Sequence, residues 1–333
     1  DRAISMTDFT IASFNVKNLI GPDREYYEFQ SYTPEEYAWK LDWMADQLLT
    51  LDADVVCFQE IFEKDALHAV IDEASIRARA LNDAAIPDRS KRYHRKAIFR
   101  KLAVTPYDDA TLAFAPNAAD TGEPGKRRPG VAILSRFPLL TRDVMAFCER
   151  QDARHISAVL GPEAGTAAGI VLHDFYVPAG GDVPDRGLNP KFAHKLKFLD
   201  EMRAITTETG AHDAALLVGD LNIAPLENDV WSHRQLLKVV SHTPVETETL
   251  EELRREAGWA DLMRHHVPGD QKLFTWWSYR ARDWAASNRG RRLDHIWGSE
   301  ALRGALTSMN VLTEARGWEK PSDHVPVVAR FAP

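Results

Sequence analysis

Short apolar runs that alternate with helical stretches constrain the fold of this 333-residue chain most strongly. Buried strands read as short apolar runs bounded by turn residues, whereas helices need longer periodic segments. The predicted strands are 9–15, 54–59, 130–135, 154–160, 168–176, 214–219, 293–298 and 326–331. Helices are predicted over 33–51, 63–84 and 189–208, the first from a capping box at Thr33-Pro34-Glu35-Glu36. Two groups of strands with helices between them predict one α/β domain.

The length alone suggests about two domains, but two insertions explain the extra residues better. They are predicted at about 20–38, which contains Tyr26, Tyr27, Phe29 and Tyr32, and at 87–128. The second insertion begins with a basic cluster at 89–101, includes a possible strand over 96–104, and ends in the stretch TGEPGKRRPG. Residues 1–8 are predicted to be an N-terminal extension or a remnant of cloning, and residues 9–333 a single domain that carries both insertions.

Composition excludes several classes of protein. The chain is 44% hydrophobic and 27% charged, which is typical of a globular protein. Its net charge of −8 argues against wrapping by nucleic acid but not against local basic patches. Two cysteines, Cys57 and Cys148, cannot build a disulfide framework or a four-ligand zinc site. No membrane span or signal peptide is visible, so we expect a cytoplasmic, monomeric protein with no obligate protein partner.

Polar residues stand repeatedly at the ends of the predicted strands. Each alone is typical of a turn or a helix cap, but strand ends meet at one edge of an α/β fold and build its active site there. The set is Asn15, Glu60, Tyr176, Asp220, Asn222, Asp294, Asp323 and His324.

The residue types in this set predict phosphoester chemistry. Glu60, helped by Asp323, offers hard oxygen ligands for Mg²⁺ or Mn²⁺. Asp220 would orient or deprotonate a water molecule, and the amides of Asn222 and Asn15 would position that water. His324, paired with Asp294 or Asp323, would donate hydrogen bonds to a phosphoryl group.

Motifs along nearly the whole chain resemble the endonuclease/exonuclease/phosphatase superfamily, in particular its exonuclease III and apurinic/apyrimidinic (AP) endonuclease branch. They are IASFNVKN, VVCFQEI, GVAILSRFPL, FYVPAGGD, LLVGDLNIAP, FTWWSYR, NRGRRLDHIW and PSDHVPV. The resemblance implies a DNase I-like four-layer αββα sandwich, in which two facing mixed β-sheets are flanked by helices and the site lies at one end.

The resemblance also implies a role for each site residue. Glu60 would be the metal ligand, with Asn15 beside it and Asp323 an acid near the metal. Asp220 would activate the attacking water with Asn222 beside it, and His324 would bind the phosphate, oriented by Asp294. Tyr176 would contact the scissile phosphate or the water. A tyrosine two residues before Pro178 favours the exonuclease III branch, whereas His173 would face away from it on an alternating strand.

Substrate contacts are predicted in the segment from Trp276 to Arg292. The resemblance implies that Trp276 lines a pocket for an extruded sugar, while Trp277 is expected to be a core anchor. Five arginines and one acid lie between residues 280 and 292, which favours a phosphate-binding surface. The predicted substrate-binding residues are Trp276, Arg280, Arg291 and Arg292. Arg291 stands where relatives often have Trp or Leu, so preference for abasic DNA stays open.

The leading hypothesis is a Mg²⁺- or Mn²⁺-dependent DNA phosphodiesterase of the exonuclease III type, acting as a 3′→5′ exonuclease, an AP endonuclease or both. Duplex DNA, abasic or nicked, is the expected partner. The alternative is a phosphoesterase of the same fold that acts on lipid, inositol or nucleotide phosphates. A third hypothesis is a non-catalytic DNA-binding module. Either insertion could contact DNA or cap the site for a different phosphoester.

Overall fold

A computed structural model describes residues 8–26, 30–83, 112–115, 128–148, 152–209, 214–317 and 322–332. The N-terminal extension up to residue 7, residues Tyr27 and Phe29, the basic cluster at 89–101, the possible strand over 96–104 and most of the Gly/Pro-rich stretch lie outside these ranges. No helix in the described part of the chain is long and apolar enough to cross a membrane.

The strands of the described chain form two six-stranded sheets and a small two-stranded one. The strands are β1 (Phe9–Leu19), β2 (Val55–Ile61), β3 (Leu112–Ala115), β4 (Gly130–Ser135), β5 (Leu139–Phe147), β6 (Asp152–Leu160), β7 (Val171–Tyr176), β8 (Ala215–Asp220), β9 (Ala260–Asp261), β10 (Trp276–Trp277), β11 (Gly290–Arg291), β12 (Asp294–Gly298), β13 (Leu306–Val311) and β14 (Val327–Phe331). The first sheet has the order β13-β14-β1-β2-β4-β3, and the second β5-β6-β7-β8-β12-β9. Both are mixed, since β1 and β2 pair in parallel, as do β7 and β8, among antiparallel neighbours.

The α-helices of the described chain are α1 (Pro34–Leu51), α2 (Lys64–Asp83), α3 (Pro190–Thr209), α4 (His233–Leu236), α5 (Pro244–Glu256), α6 (Leu262–His266), α7 (Trp284–Ser287) and α8 (Glu300–Arg303). The long helices α1, α2, α3 and α5 lie on the outer faces of the two sheets, and the shorter helices lie in the connections. In the described ranges, three short 3₁₀ helices cover Pro162–Ala167, Glu227–Asp229 and Thr313–Gly317. The predicted capping box of α1 is confirmed, because Thr33 Oγ1 accepts from Glu36 N and Glu36 Oε2 accepts from Thr33 N.

Three apolar layers separate four layers of secondary structure. The central layer joins the inner faces of the two sheets, through Val55 and Ile133 on one side and Leu172 and Ile296 on the other. A second layer packs α1 and α2 onto the first sheet, and a third packs α3 and α5 onto the second sheet. The predicted αββα sandwich is therefore confirmed, and it leaves the sheet ends uncovered for a site.

Candidate active site

The ends of five strands and two loops bring the predicted polar residues to one edge of the sandwich. Asp220 at the end of β8 pairs in register with Tyr176 of parallel β7 and with Asp294 of antiparallel β12. Asn15 of β1 is in register with Gln59 of β2, and Glu60 follows directly. Side chains from both sheets thus line one cleft of about 740 Å³, including Glu60, Tyr176, Asp220, Asn222, Asp323 and His324.

Gly219 has no acceptable substitute at the end of β8. Its φ is +141°, and a Cβ there would lie 2.0 Å from the carbonyl oxygen of Phe175. Because Gly219 has no side chain, β7 and β8 can approach closely just before Asp220. Two site residues, Glu60 and Asn222, adopt left-handed backbone with φ of 65° and 51°, which turns each side chain at the end of its strand toward the cleft.

Asn15 connects the two carboxylates on which the prediction centres. Its Nδ2 donates to Glu60 Oε1 and to Asp220 Oδ2, each at 3.0 Å, while its Oδ1 accepts from Lys17 N at 2.9 Å. Because its nitrogen faces both acids and its oxygen already accepts a bond, this geometry favours a positioning role for Asn15 over direct ligation of a metal.

Tyr176 and Asn222 complete the surroundings of these acids. The Tyr176 hydroxyl donates to Glu60 Oε1 at 3.0 Å. Asn222 donates to both carboxylate oxygens of Asp220, from its backbone N at 2.9 Å and from its side-chain Nδ2 at 3.3 Å. The same Nδ2 also donates to Val177 O. The Asp220 carboxylate is therefore fixed in orientation on the floor of the cleft.

His324 lies between two carboxylates. Its Nδ1 is 2.8 Å from Asp294 Oδ2, and its Nε2 is 3.5 Å from Asp220 Oδ2. Burial on its own lowers the pKa of His324, but Asp294 and Asp220 together raise it to about 10. Burial raises the pKa of Asp220 to about 7, opposed by the charge of His324 and aided by that of Asp294. At neutral pH the shared proton therefore lies on His324.

Thr275 is a site residue that the sequence analysis missed. Its Oγ1 donates to Asp294 Oδ2 at 2.6 Å and accepts from the backbone N of Leu293 and Asp294. It thus fixes the carboxylate oxygen that also faces His324. Its place directly before Trp276 in the motif FTWW was the signal available in the sequence.

Two sets of residues are candidates for holding a divalent cation, and their surroundings favour the second. Ligand atoms of Asp220, Asp294 and His324 lie within 4.8 Å of one another, but the Asp294 oxygen that faces His324 already accepts hydrogen bonds from His324 Nδ1 and Thr275 Oγ1. Glu60 and Asp323, in contrast, line the same cleft with hard oxygen donors, and such oxygens suit Mg²⁺ or Mn²⁺. The donor chemistry therefore fits the predicted pair. Lys17 Nζ lies 3.8 Å from Asp323 Oδ2 and is the basic group nearest that carboxylate in the described ion pairs.

The arginines of the segment 280–292 have different roles. Arg280, Arg289 and Arg291 line the cleft. The Arg291 guanidinium lies 5.2 Å from the centre of the Trp276 ring and donates to Ser241 Oγ at 2.9 Å. Arg289 lies 4.8 Å from the Trp231 ring.

The expectation that Arg292 binds substrate is wrong. This side chain is fully buried away from the cleft, where it donates to Asp229 Oδ1 and Oδ2 and to Asp261 Oδ1 at 2.8–2.9 Å. A guanidinium whose donors are held by two buried carboxylates cannot also bind a phosphate. Arg292 instead ties the loop before β12 to Asp229 and to the end of β9.

The neighbouring residues Trp276 and Trp277 differ in exposure and in what they contact. Trp277 is 3% exposed and its indole NH donates to Asn288 Oδ1, which is the expected core anchor. Trp276 is partly exposed and lines the cleft, and its backbone forms an isolated antiparallel β-bridge with His324.

His173 points away from Tyr176, as expected. It is buried with a ring nitrogen 3.0 Å from His155, on the side of the sheet that the helices cover, where Trp259 also packs.

A buried lysine supports the loops on one side of the cleft. Lys195 of α3 donates from Nζ to Asn222 O, Ala179 O and Glu246 Oε1. Burial lowers the pKa of Lys195, and the Glu246 carboxylate opposes that shift. Glu246 in turn accepts from the backbone N of Ser241, so one ion pair links Asn222 to the segment that carries the Arg291 contact.

Comparisons with known proteins agree with this geometry. The family model described as Endonuclease/Exonuclease/phosphatase family matches residues 12–324. Exodeoxyribonuclease III of Haemophilus influenzae is 29% identical over 211 residues, which are 61% of this chain and 76% of that protein. An AP endonuclease from Archaeoglobus fulgidus superposes with a TM-score of 0.66 at 23% identity, over 97% of this chain and 99% of that one. The 3′ phosphatase NExo from Neisseria, bound to a product DNA hairpin, superposes with a TM-score of 0.68 at 21% identity over the same shares. The chain belongs to the endonuclease/exonuclease/phosphatase family of phosphoester hydrolases.

Proposed function

We propose that the protein is a divalent-metal-dependent DNA phosphodiesterase of the exonuclease III type, acting as a 3′→5′ exonuclease, an AP endonuclease or both. The observation that carries this proposal is the row Asp294–His324–Asp220, which Asn15 joins to Glu60 and Tyr176 within one cleft. The row places a proton donor, His324 Nε2, 3.5 Å from a proton acceptor, Asp220 Oδ2, and both residues line a cleft that a phosphate can enter.

The protein's own residues divide the reaction between them. Asp220 accepts a proton from water, because its raised pKa near 7 suits a general base at neutral pH. The water oxygen then attacks phosphorus, the P–O bond to the leaving oxygen breaks, and the leaving oxygen takes up a proton from solvent. Protonated His324 donates from Nε2 to a phosphoryl oxygen, and Asp294 holds its Nδ1, so developing negative charge meets a fixed positive donor.

Glu60 and Asp323 would hold the cation in this scheme. When bound, Mg²⁺ or Mn²⁺ would neutralise charge on the phosphate. Tyr176 keeps Glu60 in place through its 3.0 Å hydrogen bond, and its hydroxyl lies on the cleft wall where a phosphate oxygen would also lie.

DNA as substrate is supported by the cleft and by the relatives. Arg280, Arg289 and Arg291 give the cleft positive charge in a chain of net charge −8, and Trp276 offers a ring face to a sugar or base. The Haemophilus relative is named for exodeoxyribonuclease III activity, and the Neisseria neighbour was captured with product DNA.

A second candidate reaction, removal of a 3′-terminal phosphate from DNA, is favoured by Arg291. In the described residues this partly buried cation donates only to neutral acceptors, Val240 O and Ser241 Oγ, and forms no ion pair. A terminal phosphate dianion would satisfy such a guanidinium better than a diester. The Neisseria neighbour is itself a 3′ phosphatase.

Labelled duplexes test the proposal. The 5′-labelled strand ends in a 3′-hydroxyl or a 3′-phosphate, or carries an internal abasic analogue, and each duplex is incubated with Mg²⁺, Mn²⁺ or EDTA. A metal-dependent ladder that shortens from the 3′ end indicates exonuclease, one internal product indicates AP endonuclease, and a single mobility shift indicates phosphatase. Turnover of a small phosphoester with no change in any duplex would contradict the proposal.

A further inference from the structure

A second cavity of about 450 Å³ adjoins the cleft on the side of β1, and aromatic side chains form much of its wall. Tyr26, Tyr32, Trp39 and Tyr279 line it, and they come from the segment before α1, from α1 itself and from the loop after β10. A volume in this range accommodates a small flat molecule. The proposed catalytic scheme uses none of these four residues.

Lys17 belongs to both spaces. It lines the cleft and the aromatic cavity, and its Nζ lies 3.8 Å from Asp323 Oδ2 and 3.7 Å from the centre of the Tyr279 ring. A cation at this border is placed to contact a phosphate that joins one nucleotide in the cleft to a neighbour in the cavity. The cleft and the aromatic cavity therefore share one cationic side chain in their walls.

Hydrogen bonds to backbone carbonyl oxygens fix Lys17 and Asn18 at the end of β1. Both residues have left-handed backbone, with φ of 45° and 71°. The buried Lys40 of α1 donates from Nζ to Val16 O at 2.6 Å and to Lys17 O at 3.3 Å, and Tyr32 donates from its hydroxyl to Asn18 O at 3.1 Å. The strained turn is thus fixed by groups that also line the cavity.

Asn18 offers an unused hydrogen-bond acceptor. The residue is 4% exposed and lines the cavity, and its Oδ1 has no hydrogen-bond partner among the residues that the structure describes. A buried polar atom without a partner is costly and points to a ligand or water that would donate to it. The ring N–H or amino group of a nucleobase is such a donor.

Charge in the cavity also suits a nucleotide. Lys17 gives it a positive charge, against one acid within the described chain, Glu36, whose carboxylate accepts from Thr33 N in the helix cap. Aromatic faces bind bases of any sequence, and nearby cations bind the backbone that carries them.

We propose that the aromatic cavity binds an unpaired nucleobase of the substrate strand, next to the nucleotide whose phosphate enters the cleft. This inference rests on the proposed DNA activity and extends it to a substrate class, strands with an unpaired nucleotide beside the scissile bond. Lys17 contacts the phosphate between the two nucleotides, and the base meets the aromatic wall and Asn18.

A binding cycle tests this inference. Fluorescein-labelled single-stranded oligonucleotides, either intact or with an abasic analogue at one of the last four positions, are titrated with the Asp220→Asn protein in Mg²⁺. Tyr26→Ala in this background should weaken binding of the intact strand about 10-fold, as expected for loss of one stacking ring. The abasic analogue at one position should weaken binding to the Tyr26 protein similarly, and should add no further loss in Tyr26→Ala.

Two further variants separate stacking from general damage. Tyr26→Phe keeps the ring and should restore the coupling to the abasic position. Tyr37→Ala removes a ring from α1 that packs on the core outside the cavity, and it should leave the coupling as it was.

Additive losses at all four positions, or no measurable binding of the intact strand, would overturn the inference. Cleavage of labelled DNA by the wild-type protein is measured in parallel. Cleavage with additive binding losses rejects the aromatic cavity alone, whereas coupled binding without any cleavage rejects the proposed catalytic function.

Discussion

His324 Nδ1 lies 2.8 Å from Asp294 Oδ2, and the same oxygen accepts a 2.6 Å hydrogen bond from Thr275. One carboxylate oxygen thus receives two donors, and the hydroxyl of Thr275 sets where the imidazole meets it. The orientation of the proposed phosphate-binding histidine therefore depends on a residue outside the strand-end pattern.

Thr275→Val should lower the cleavage rate about 10-fold, because it keeps the side-chain shape but leaves Asp294 with one fewer donor. The effect should fall on kcat more than on KM, since Thr275 is a positioning residue. Steady-state cleavage of a labelled duplex measures both constants. Thr207→Val, at an exposed threonine of α3, is the matched control, and equal rates for both variants would show that Thr275 has no role.

Arg291 and Arg292 are neighbours in sequence, but their substitutions should affect different properties, DNA binding for Arg291 and stability for Arg292. Arg292→Leu leaves Asp261 without its paired cation and Asp229 with Arg264 alone, which should cost about 3–5 kcal/mol of unfolding free energy. Arg291→Gln removes a cation that makes no ion pair in the described residues, so it should weaken DNA binding with little loss of stability. Urea unfolding and a DNA titration of both variants check this contrast, and similar stability losses would contradict it.

His173 should make the protein less stable in mild acid. Burial lowers its pKa from 6.5 to about 4 in the folded state, so below pH 6.5 the unfolded chain binds a proton that the folded chain does not. The stability that the neutral, buried imidazole of His173 contributes is fully present above about pH 6.5 and is lost as the pH falls toward 4.

Urea unfolding between pH 8 and pH 5 measures this dependence. His173→Gln keeps a polar partner for His155 and does not titrate, so its stability should fall less steeply with decreasing pH, by close to one proton in the slope. Identical slopes for the variant and the wild-type protein would contradict the assignment.

The sequence predicts most of the sandwich because its central strands are buried on both faces. Runs such as Val55–Ile61 and Ala215–Asp220 are buried throughout, and they appear as continuous apolar segments. Strand β5 was missed because residues 140–146 are largely exposed and carry no apolar run. Helix α5 was missed although Thr243-Pro244 with Glu246 repeats the start signal of α1, and Glu246 does accept from Thr243 N.

The site is only partly predictable for a different physical reason. Strand-end residues converge because parallel strands share an edge, so Asp220, Tyr176 and Glu60 could be foreseen. The partners of an arginine cannot be foreseen in this way, since Asp229 lies 63 residues from Arg292 and Asp261 lies 31 residues from it. Thr275, Lys195 and the aromatic cavity likewise depend on packing between distant segments.

The rate of DNA cleavage by Asp220→Asn and His324→Ala in Mg²⁺ tests the central claim most directly. Each variant removes one side of the row that accepts and donates protons, so each should cleave a labelled duplex at least about 100-fold more slowly than the wild-type protein. Circular dichroism should show retained structure, and His265→Ala, at an exposed histidine of α6, should cleave at the wild-type rate. Metal-dependent cleavage at the wild-type rate in both Asp220→Asn and His324→Ala would contradict the account.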